Sequence, residues 1–457
     1  MLLTPARPSP DAGETTFAGA LDILGRRLAP RSDAPVAVAF SGGGDSLALL
    51  LTARSWARST GRRILALTVD HGLQPQSAVW TRSAAATAGR LGVDFQALAW
   101  TGDKPATGLP AAARRARHAL LADAARDAGA RVILFGHTLD DELEARLMRG
   151  EGSTLGVLSE WAPSPVWPEG HGLFLLRPLL GVRRAALRAW LAEAGHGWID
   201  DPANDDLKWS RARARREVEA SALHDAGAFA GEAPDKDLQI LARQATAGDF
   251  GVIRLPRDAL QTVRLETVQR FVAMACVCAG GGEGRPRGAR AMRLAARLAD
   301  GETFTAALAG ARIEADKDDV RILRDAGEAA RGGLAPMPLT PGRAAVWDGR
   351  FEMGADEAGL TVVALKGRMG RLSPPARGGL KAAPAAARPA LPAVAAPGHG
   401  ESLICPILEQ DGKVRARCLV GERLAAACGT IAKEIHANLR RQWRSDAEGP
   451  ILGRQVQ

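Results

Sequence analysis

The chain is 457 residues long and holds 60 lysine and arginine residues against 51 acidic ones, which gives a net charge of +9. Because a single core seldom grows beyond about 250 to 300 residues, this length predicts two or three domains, and the charge favours a polyanionic partner such as nucleic acid. No stretch reaches the roughly 18 apolar residues of a membrane span, and the start lacks the apolar core of a signal peptide, so we expect a cytoplasmic protein without membrane contact.

The first third of the chain alternates short β-branched or leucine-rich runs with alanine-rich stretches. This alternation is typical of an α/β fold in which helices cover both faces of a parallel sheet. The predicted strands are Val36–Phe40, Ile64–Val69, Phe95–Trp100 and Val132–Gly136. The predicted helices are Ser46–Arg58, Ala78–Leu91, Ala111–Ala128 and Asp140–Arg149. Ligands of such sheets bind beyond the carboxyl ends of the strands, so polar residues that directly follow a strand are candidates for a site.

The first strand leads into the hexapeptide Ser41-Gly-Gly-Gly-Asp-Ser46 and then into a helix. Such a turn presents backbone N–H groups to a phosphate, although a glycine turn can also merely cap a helix. The motif lacks the Gly-Lys-Ser/Thr ending of a Walker A loop. It offers instead the hydroxyls of Ser41 and Ser46, a close main-chain approach, and a carboxylate that can hold Mg²⁺ between phosphate oxygens. The residues in these roles are Ser41, Gly42, Gly43, Gly44, Asp45 and Ser46.

Asp70 and His71 follow the second strand. At that position they either contact adenine, ribose or a reacting group, or simply cap the end of the strand.

Acidic residues cluster after the fourth strand, where His137 precedes Asp140, Asp141 and Glu144 at the start of a helix. Asp140 and Glu144 share a helix face because they lie one turn apart. Acids in a first turn are often only favourable to the helix dipole. Beside a phosphate loop, however, they predict a site that binds magnesium and an amine, or that orients the amine as a nucleophile.

Arginines dominate the segment 181–216. Arg183, Arg184 and Arg188 lie on one predicted helix, where we expect a solvated face. Arg211, Arg213 and Arg215 follow an acidic turn, and they either contact phosphates, whose oxygens match guanidinium forks, or form a solvated helical face.

The later part of the chain predicts a separate, mainly helical domain for substrate recognition over 217–330, with a strand-like end at Ala311–Leu323. A small α+β domain is expected over 331–457. Within it, the low-complexity stretch Pro374–Pro397 has the composition of a flexible linker, and whether it is a linker or part of a folded domain stays open.

In order and spacing these motifs resemble the tRNA(Ile)-lysidine synthases, a family of the PP-loop ATP pyrophosphatase superfamily. The match is dense to about residue 216 and thin beyond it, which makes 1–216 the expected catalytic domain, with a Rossmann-like PP-loop fold. The matching segments are Ser41-Gly-Gly-Gly-Asp-Ser46, Val69-Asp-His-Gly-Leu73, Gly136-His-Thr-Leu-Asp-Asp141 with Glu144, Arg149-Gly-Glu-Gly-Ser153, Arg177-Pro-Leu-Leu180 and Asp201-Pro-Ala-Asn-Asp205 with the arginines after it. The family usually has Gln-x-Glu-Thr where this chain has Glu142-Leu-Glu144-Ala145.

The resemblance implies a ligase that forms a carbon–nitrogen bond. Such enzymes use ATP to adenylate the wobble cytidine of the CAU anticodon of isoleucine tRNA, and free L-lysine then displaces AMP to give lysidine. It implies that Ser41–Ser46, Asp70 and His71 bind ATP and that Asp45 binds Mg²⁺. The catalytic candidates are Asp45, His137, Asp141 and Glu144, and the substrate-binding candidates are Asp140, Arg211, Arg213 and Arg215. Whether the enzyme is a monomer or a homodimer stays open.

Three other functions are less consistent with the sequence. A PP-loop tRNA thiolase needs a cysteine or iron–sulfur ligands near the loop, and the first cysteine of this chain is Cys276. An amidotransferase needs an ammonia-generating domain, and no cysteine nucleophile motif is visible. A non-catalytic RNA-binding protein would explain the charge but not the motifs at one sheet edge.

Overall fold

The computed structural model describes residues 17–153, 156–200, 208, 210–220, 235–286, 289–328, 334–396, 402–409 and 412–434. The chain divides into two compact units, one formed by 1–233 with 431–457 and the other by 234–430. The finer division at 216 and 330 stays a prediction.

The first unit is built on a six-stranded sheet in the order β3-β2-β1-β4-β6-β5. Its strands are β1 (Val36–Ala39), β2 (Ile64–Asp70), β3 (Asp94–Ala99), β4 (Val132–Leu134), β5 (Trp161–Pro163) and β6 (Phe174–Leu176). All neighbours are parallel except β5, which runs antiparallel to β6. The predicted parallel sheet is confirmed, and β5 and β6 extend it beyond the four predicted strands.

Helices cover both faces of this sheet. They are α1 (Ala18–Arg27), α2 (Gly44–Thr60), α3 (Ser77–Leu91), α4 (Leu109–Asp127), α5 (Leu139–Gly150), α6 (Arg184–Glu193) and α7 (Ser210–Ala220). Successive residues of a strand point to opposite faces, so Val36 and Val38 pack in one apolar cluster with α1, α2 and α6, while Ala37 packs in another with α4. The carboxyl ends of β1, β2 and β4 therefore meet at one edge.

The second unit begins with helices α8 (Lys236–Gln244), α9 (Leu265–Gly280) and α10 (Ala289–Ala299), the 3-10 helix Arg257–Thr262 and an antiparallel sheet in the order β7-β8-β11-β10-β9. The strands are β7 (Thr246–Ala247), β8 (Ile253–Pro256), β9 (Phe304–Leu308), β10 (Ala311–Ala315) and β11 (Asp319–Arg324). The mainly helical domain expected over 217–330 also contains the strands β7 and β8, which were not predicted. Both strands are short, and they are stabilised by the pairing of β8 with β7 and with β11.

Two further antiparallel sheets complete the unit, in the orders β12-β15-β16-β17 and β13-β14-β18. Their elements are β12 (Met337–Pro338), β13 (Ala345–Trp347), β14 (Phe351–Ala355), β15 (Thr361–Ala364), α11 (Pro374–Gly379), β16 (Pro392–Ala395), β17 (Leu403–Ile404), β18 (Val414–Cys418), α12 (Val420–Ala427) and the 3-10 helices Met369–Arg371, Leu380–Ala382 and Arg388–Ala390. Of the two alternatives for the low-complexity stretch, residues 374–396 are part of a folded domain, because Leu380, Leu391 and Val394 are buried in the core of this part. Pro397 lies outside the described residues.

None of the helices in the described ranges combines the length and the apolar character needed to cross a membrane.

Candidate functional site

The predicted phosphate loop is the turn 41–44 between β1 and α2. Gly42 has a φ of +85°, a conformation that side chains rarely adopt, and its carbonyl accepts a hydrogen bond from the Ile199 N–H at 3.0 Å. The hydroxyls of Ser41 and Ser46 lie 3.2 Å apart and close the turn. Helix α2 begins without a side-chain cap in the described chain, so its first backbone N–H groups are positioned for an anion.

Strand β4 passes close to this loop. A Cβ atom at Gly136 would lie 3.0 Å from the carbonyl oxygen of Asp45. The glycine therefore brings the loop after β4, which carries His137, against the start of α2.

Arg184 is the centre of the acid cluster. Its Nε donates to Asp45 Oδ2 at 3.0 Å, its Nη1 donates to Glu144 Oε1 at 3.0 Å, and its Nη2 lies 3.4 Å from Asp141 Oδ1. One buried guanidinium thus joins three carboxylates that come from two helices. The expectation of a solvated face is wrong for Arg184.

Two arginines of α7 complete the cluster. Arg211 donates from Nε to Glu144 at 3.1 Å and from Nη2 to Asp141 at 2.5 Å, and Arg215 donates to Glu144 at 3.2 Å. The Glu144 side chain is 1% exposed, whereas that of Arg211 is 50% exposed. Burial opposes the charge on Asp141, but the neighbouring cations outweigh it and hold the pKa of this carboxyl below its ordinary value.

Asp140 and Asp141 also hold helix ends. Asp140 accepts the backbone N–H of Arg184 at 2.7 Å and lies 3.2 Å from the Arg183 guanidinium, so it fixes the start of α6. Asp141 accepts the backbone N–H of Thr138 at 2.8 Å and its hydroxyl at 3.0 Å, forming the capping box of α5.

His137 is half-buried beside Arg177, whose Nε donates to His137 Nδ1 at 3.1 Å. Burial and the charge of Arg177 lower the pKa of His137 to about 3. Its ring is therefore neutral at physiological pH. Because Nδ1 accepts from Arg177, we assign the ring proton to Nε2.

The two candidate residues after β2, Asp70 and His71, have different surroundings. Asp70 Oδ1 accepts the Gly72 N–H at 2.8 Å, a turn-forming contact. His71 packs edge-on against Trp100, and its buried Nδ1 has no hydrogen-bond partner among the described residues. Burial, reinforced by the charge of Arg117, lowers the pKa of His71.

Sequence reasoning missed two cations of α4, Arg114 and Arg117. Burial lowers the pKa of Arg117 to about 10, and its Nε is buried without a partner in the described chain. The charges of Arg114 and Arg211 add to this effect. A buried guanidinium without a carboxylate is costly unless an anion arrives.

These elements surround one cavity of about 820 Å³. Most predicted site residues line it, together with Arg117 and Trp80. The predicted residues at the cavity are Ser41, Gly43, Asp45, Ser46, Asp70, His71, His137, Asp141, Arg211 and Arg215. Asp140 and Glu144 are buried in the neighbouring ion-pair cluster instead. Arg213 is exposed and donates to the Lys208 carbonyl at 3.1 Å.

Comparison with known proteins places this geometry in context. A family model for a PP-loop domain matches residues 21–222. The tRNA(Ile)-lysidine synthase of Caulobacter vibrioides is 51% identical to this chain over 420 residues, which cover 90% of the chain and 97% of that protein. The enzyme of the same name from Hyphomonas neptunium is 38% identical over 346 residues, covering 73% and 89%.

Among solved structures, a U34-tRNA thiolase from Methanococcus maripaludis matches 45% of this chain and 73% of its own, with a TM-score of 0.38 and 16% identity. That likeness is too distant to bear on function.

Proposed function

The chain belongs to the family of tRNA(Ile)-lysidine synthases, and from that premise we propose that it ligates L-lysine to C2 of the wobble cytidine in the CAU anticodon of isoleucine tRNA. In this reaction the C2 oxygen attacks the α-phosphorus of ATP and pyrophosphate leaves. The side-chain amine of lysine then attacks C2, and AMP leaves with that oxygen. The supporting observation is that the glycine loop lines one cavity together with Asp45 and Asp141, two acids of the ion-pair cluster.

ATP is expected to lie with its phosphates on the turn 41–44 and the start of α2. The uncapped N–H groups there favour negative charge, and the loop has no lysine that would replace them. Arg117 lines the same cavity, and its Nε has no hydrogen-bond partner among the described residues, so its guanidinium is suited to bind a phosphate of ATP or of the tRNA.

Magnesium fits this site only in company with phosphates. The described residues contain no group of three or more His, Cys, Asp or Glu side chains that could hold a metal ion. Asp45 lines the cavity and uses one carboxylate oxygen for Arg184. Mg²⁺ commonly binds one or two carboxylates, substrate phosphates and water, so Asp45 would be its protein ligand and the ion would neutralise charge on the pyrophosphate.

The lysine amine is proposed to bind at Asp141 and Glu144. Both acids already contact cations, and of these Arg211 is half-exposed whereas the Arg184 side chain is 7% exposed. An incoming ammonium would therefore replace Arg211, while Arg184 continues to hold the acids in place. With its guanidinium released, Arg211 would become available to an anion. The carboxylate then lies against the ammonium and can accept its proton as the amine attacks C2.

His137 is better suited to donate a hydrogen bond than to carry a proton. Its Nδ1 is occupied by Arg177, and its low pKa disfavours the imidazolium. In the cavity, Nε2–H would stabilise charge on a phosphate oxygen or on the leaving oxygen.

The test is to incubate the purified chain with ATP, labelled lysine and unmodified isoleucine tRNA bearing CAU. We expect lysine in the tRNA and equal amounts of AMP and pyrophosphate. The same tRNA with uridine at the wobble position is the control and should remain unmodified. A thiolase would instead need a sulfur donor and incorporate no lysine.

A further inference from the structure

The segment 365–391 joins β15 to β16 and carries an unusual charge. It contains six cations and no acid, namely Lys366, Arg368, Arg371, Arg377, Lys381 and Arg388. Ala364 pairs with Pro392 across the two strands, and the Lys366 N–H donates to the Pro389 carbonyl at 2.9 Å. The segment thus leaves and rejoins the sheet at one end and carries a net charge of +6, whereas the whole chain carries +9.

This segment is folded. Leu372, Ala376, Leu380, Ala383 and Leu391 are buried in the apolar core, and α11 begins with the Ser373 hydroxyl capping the Ala376 N–H at 3.2 Å. A partner that binds here therefore does not have to order the backbone first, which reduces the entropy lost on binding.

Three of these cations have no carboxylate partner in the part of the chain that the structure describes. Lys366, Arg377 and Lys381 are exposed, and none of them forms an ion pair within the described ranges. Lys366 donates instead to the Ala326 carbonyl at 2.9 Å. Glu409 contacts the segment, and its carboxylate accepts hydrogen bonds from the Ser373 hydroxyl and the Cys405 N–H.

Other exposed cations of the same unit contrast with these. Arg254 pairs with Asp319, Lys413 with Glu357 at 2.9 Å, and Arg415 with Asp356 at 2.6 Å. An exposed cation that already has a carboxylate gains less from a further anion.

We propose that 365–391 is a surface that binds the phosphodiester backbone of the tRNA. This inference rests on the proposed function, which brings that polyanion to the enzyme. The segment has no Phe, Tyr or Trp to stack on a base, so it contacts backbone and not sequence. None of the exposed large apolar side chains in the described chain lies in it, which disfavours a lipid surface.

The test compares two triple variants of the full chain with equal changes in net charge. One is Lys366→Gln/Arg377→Gln/Lys381→Gln, and the matched control is Arg254→Gln/Lys413→Gln/Arg415→Gln. For the first we expect about tenfold weaker tRNA binding, and a slope of log affinity against log salt that is lower by about 2 for three lost contacts. Because backbone is read, isoleucine and methionine tRNAs should be affected equally. The control should stay within about twofold of the unmodified chain.

If both triple variants weaken tRNA binding equally, only net charge matters. If the first triple variant binds tRNA as tightly as the unmodified chain, the segment 365–391 does not contact the tRNA. Either result overturns the proposal. A second measurement uses the unmodified chain. Bound tRNA should protect Lys366 and Lys381, but not Lys413, from acetylation as measured by mass spectrometry. Failure of the proposed function is separate, since it would appear as absent lysine incorporation by the unmodified chain.

Discussion

The Arg184 guanidinium donates to the Asp45 carboxylate at 3.0 Å, and this contact joins the first residue of α6 to the second residue of α2. The same guanidinium donates to Glu144 at 3.0 Å. The loop expected to hold ATP and the acids expected to hold lysine are thus connected through one side chain. The negative charge of the cluster raises the pKa of Arg184 above its ordinary value, against the effect of burial.

Replacing Arg184 by alanine should be strongly destabilising, because it leaves buried carboxylates without their central cation. Breaking a buried pair in this way costs about 3 to 5 kcal/mol. Arg184→Ala should therefore lower the urea midpoint of unfolding markedly, and Arg188→Ala, on the exposed part of the same helix, is the control. Similar midpoints for the two variants would show that Arg184 is not the organising cation.

Asp45→Asn should abolish adenylation with little loss of stability. Arg184 would keep Asp141 and Glu144 as partners, and the Asp45 side chain is 24% exposed, so the amide can be accommodated. Burial raises the pKa of Asp45, which makes its charge costly until a cation of the ATP complex is bound. The measurement is tRNA-dependent pyrophosphate release together with the melting temperature. Normal release would exclude Asp45 from ATP and metal binding.

The parts of the site that depend on local sequence were predictable. The loop 41–46 could be identified because a strand, a glycine turn and a helix follow one another directly in the sequence. Parallel strands bring such loops to one edge of the sheet. Arg184 was not predictable, because its partners Asp45 and Glu144 are 139 and 40 residues away. One signal was present: Arg183 and Arg184 stand at a helix N-terminus, where the dipole disfavours cations unless acids lie nearby.

The folded structure of the cationic segment 365–391 could not be predicted from the sequence for a different reason. Its composition of alanine, proline and glycine is typical of linkers. Its order comes from a few apolar residues, such as Leu372, Leu380 and Leu391, that reach a core assembled from strands on both sides of it. Neither periodicity nor composition records such a long-range contribution.

The two half-reactions should separate in Asp141→Asn and Glu144→Gln. The amides keep the size of the acids and some hydrogen bonds, but they lose the charge that would attract an ammonium. Both variants should release pyrophosphate in the presence of tRNA while failing to incorporate lysine. Glu142→Gln is a control, since Glu142 is buried on the same helix but pairs with Arg149 at 2.6 Å. Loss of both half-reactions would assign these acids to ATP or magnesium.

Acid sensitivity should arise from buried neutral histidines. His118 stacks on the Phe135 ring, and burial lowers the pKa of His118 to about 3. His137 stacks on the same phenylalanine ring, and its pKa is also lowered to about 3. The unfolded state takes up these protons near the ordinary pKa of about 6.5. Their contribution is therefore complete above that pH and falls as the pH drops from about 6.5 towards 3, by up to about 1.4 kcal/mol per pH unit for each ring.

His118→Phe keeps the stack and removes one titrating group. The difference in unfolding free energy between pH 8 and pH 5 should then be smaller than in the unmodified chain. Urea unfolding at the two values measures it. An unchanged difference would mean that His118 does not contribute to the acid sensitivity.

Glu434 should be needed for the stability of the first unit. Arg62 and Glu434 form a pair whose side chains are 1% and 2% exposed, with Nη1–Oε2 and Nη2–Oε1 distances of 2.9 and 3.0 Å. Glu434 also accepts the Ala29 N–H at 2.9 Å. A fragment that ends near residue 216 lacks Glu434 and leaves Arg62 buried without it. We therefore expect this fragment to lose stability as well as tRNA affinity.

Glu434→Ala in the full chain isolates that contribution and should cost about 3 to 5 kcal/mol, because a buried cation loses its partner. The double variant Arg62→Met/Glu434→Leu removes both charges and should recover most of the loss. Chemical unfolding of the three proteins checks this order. If Glu434→Ala is as stable as the unmodified chain, the carbonyl groups of Ala29 and Ala34 are sufficient hydrogen-bond partners for Arg62. The fragment ending near residue 216 should in that case fold and bind ATP without residues 431–434.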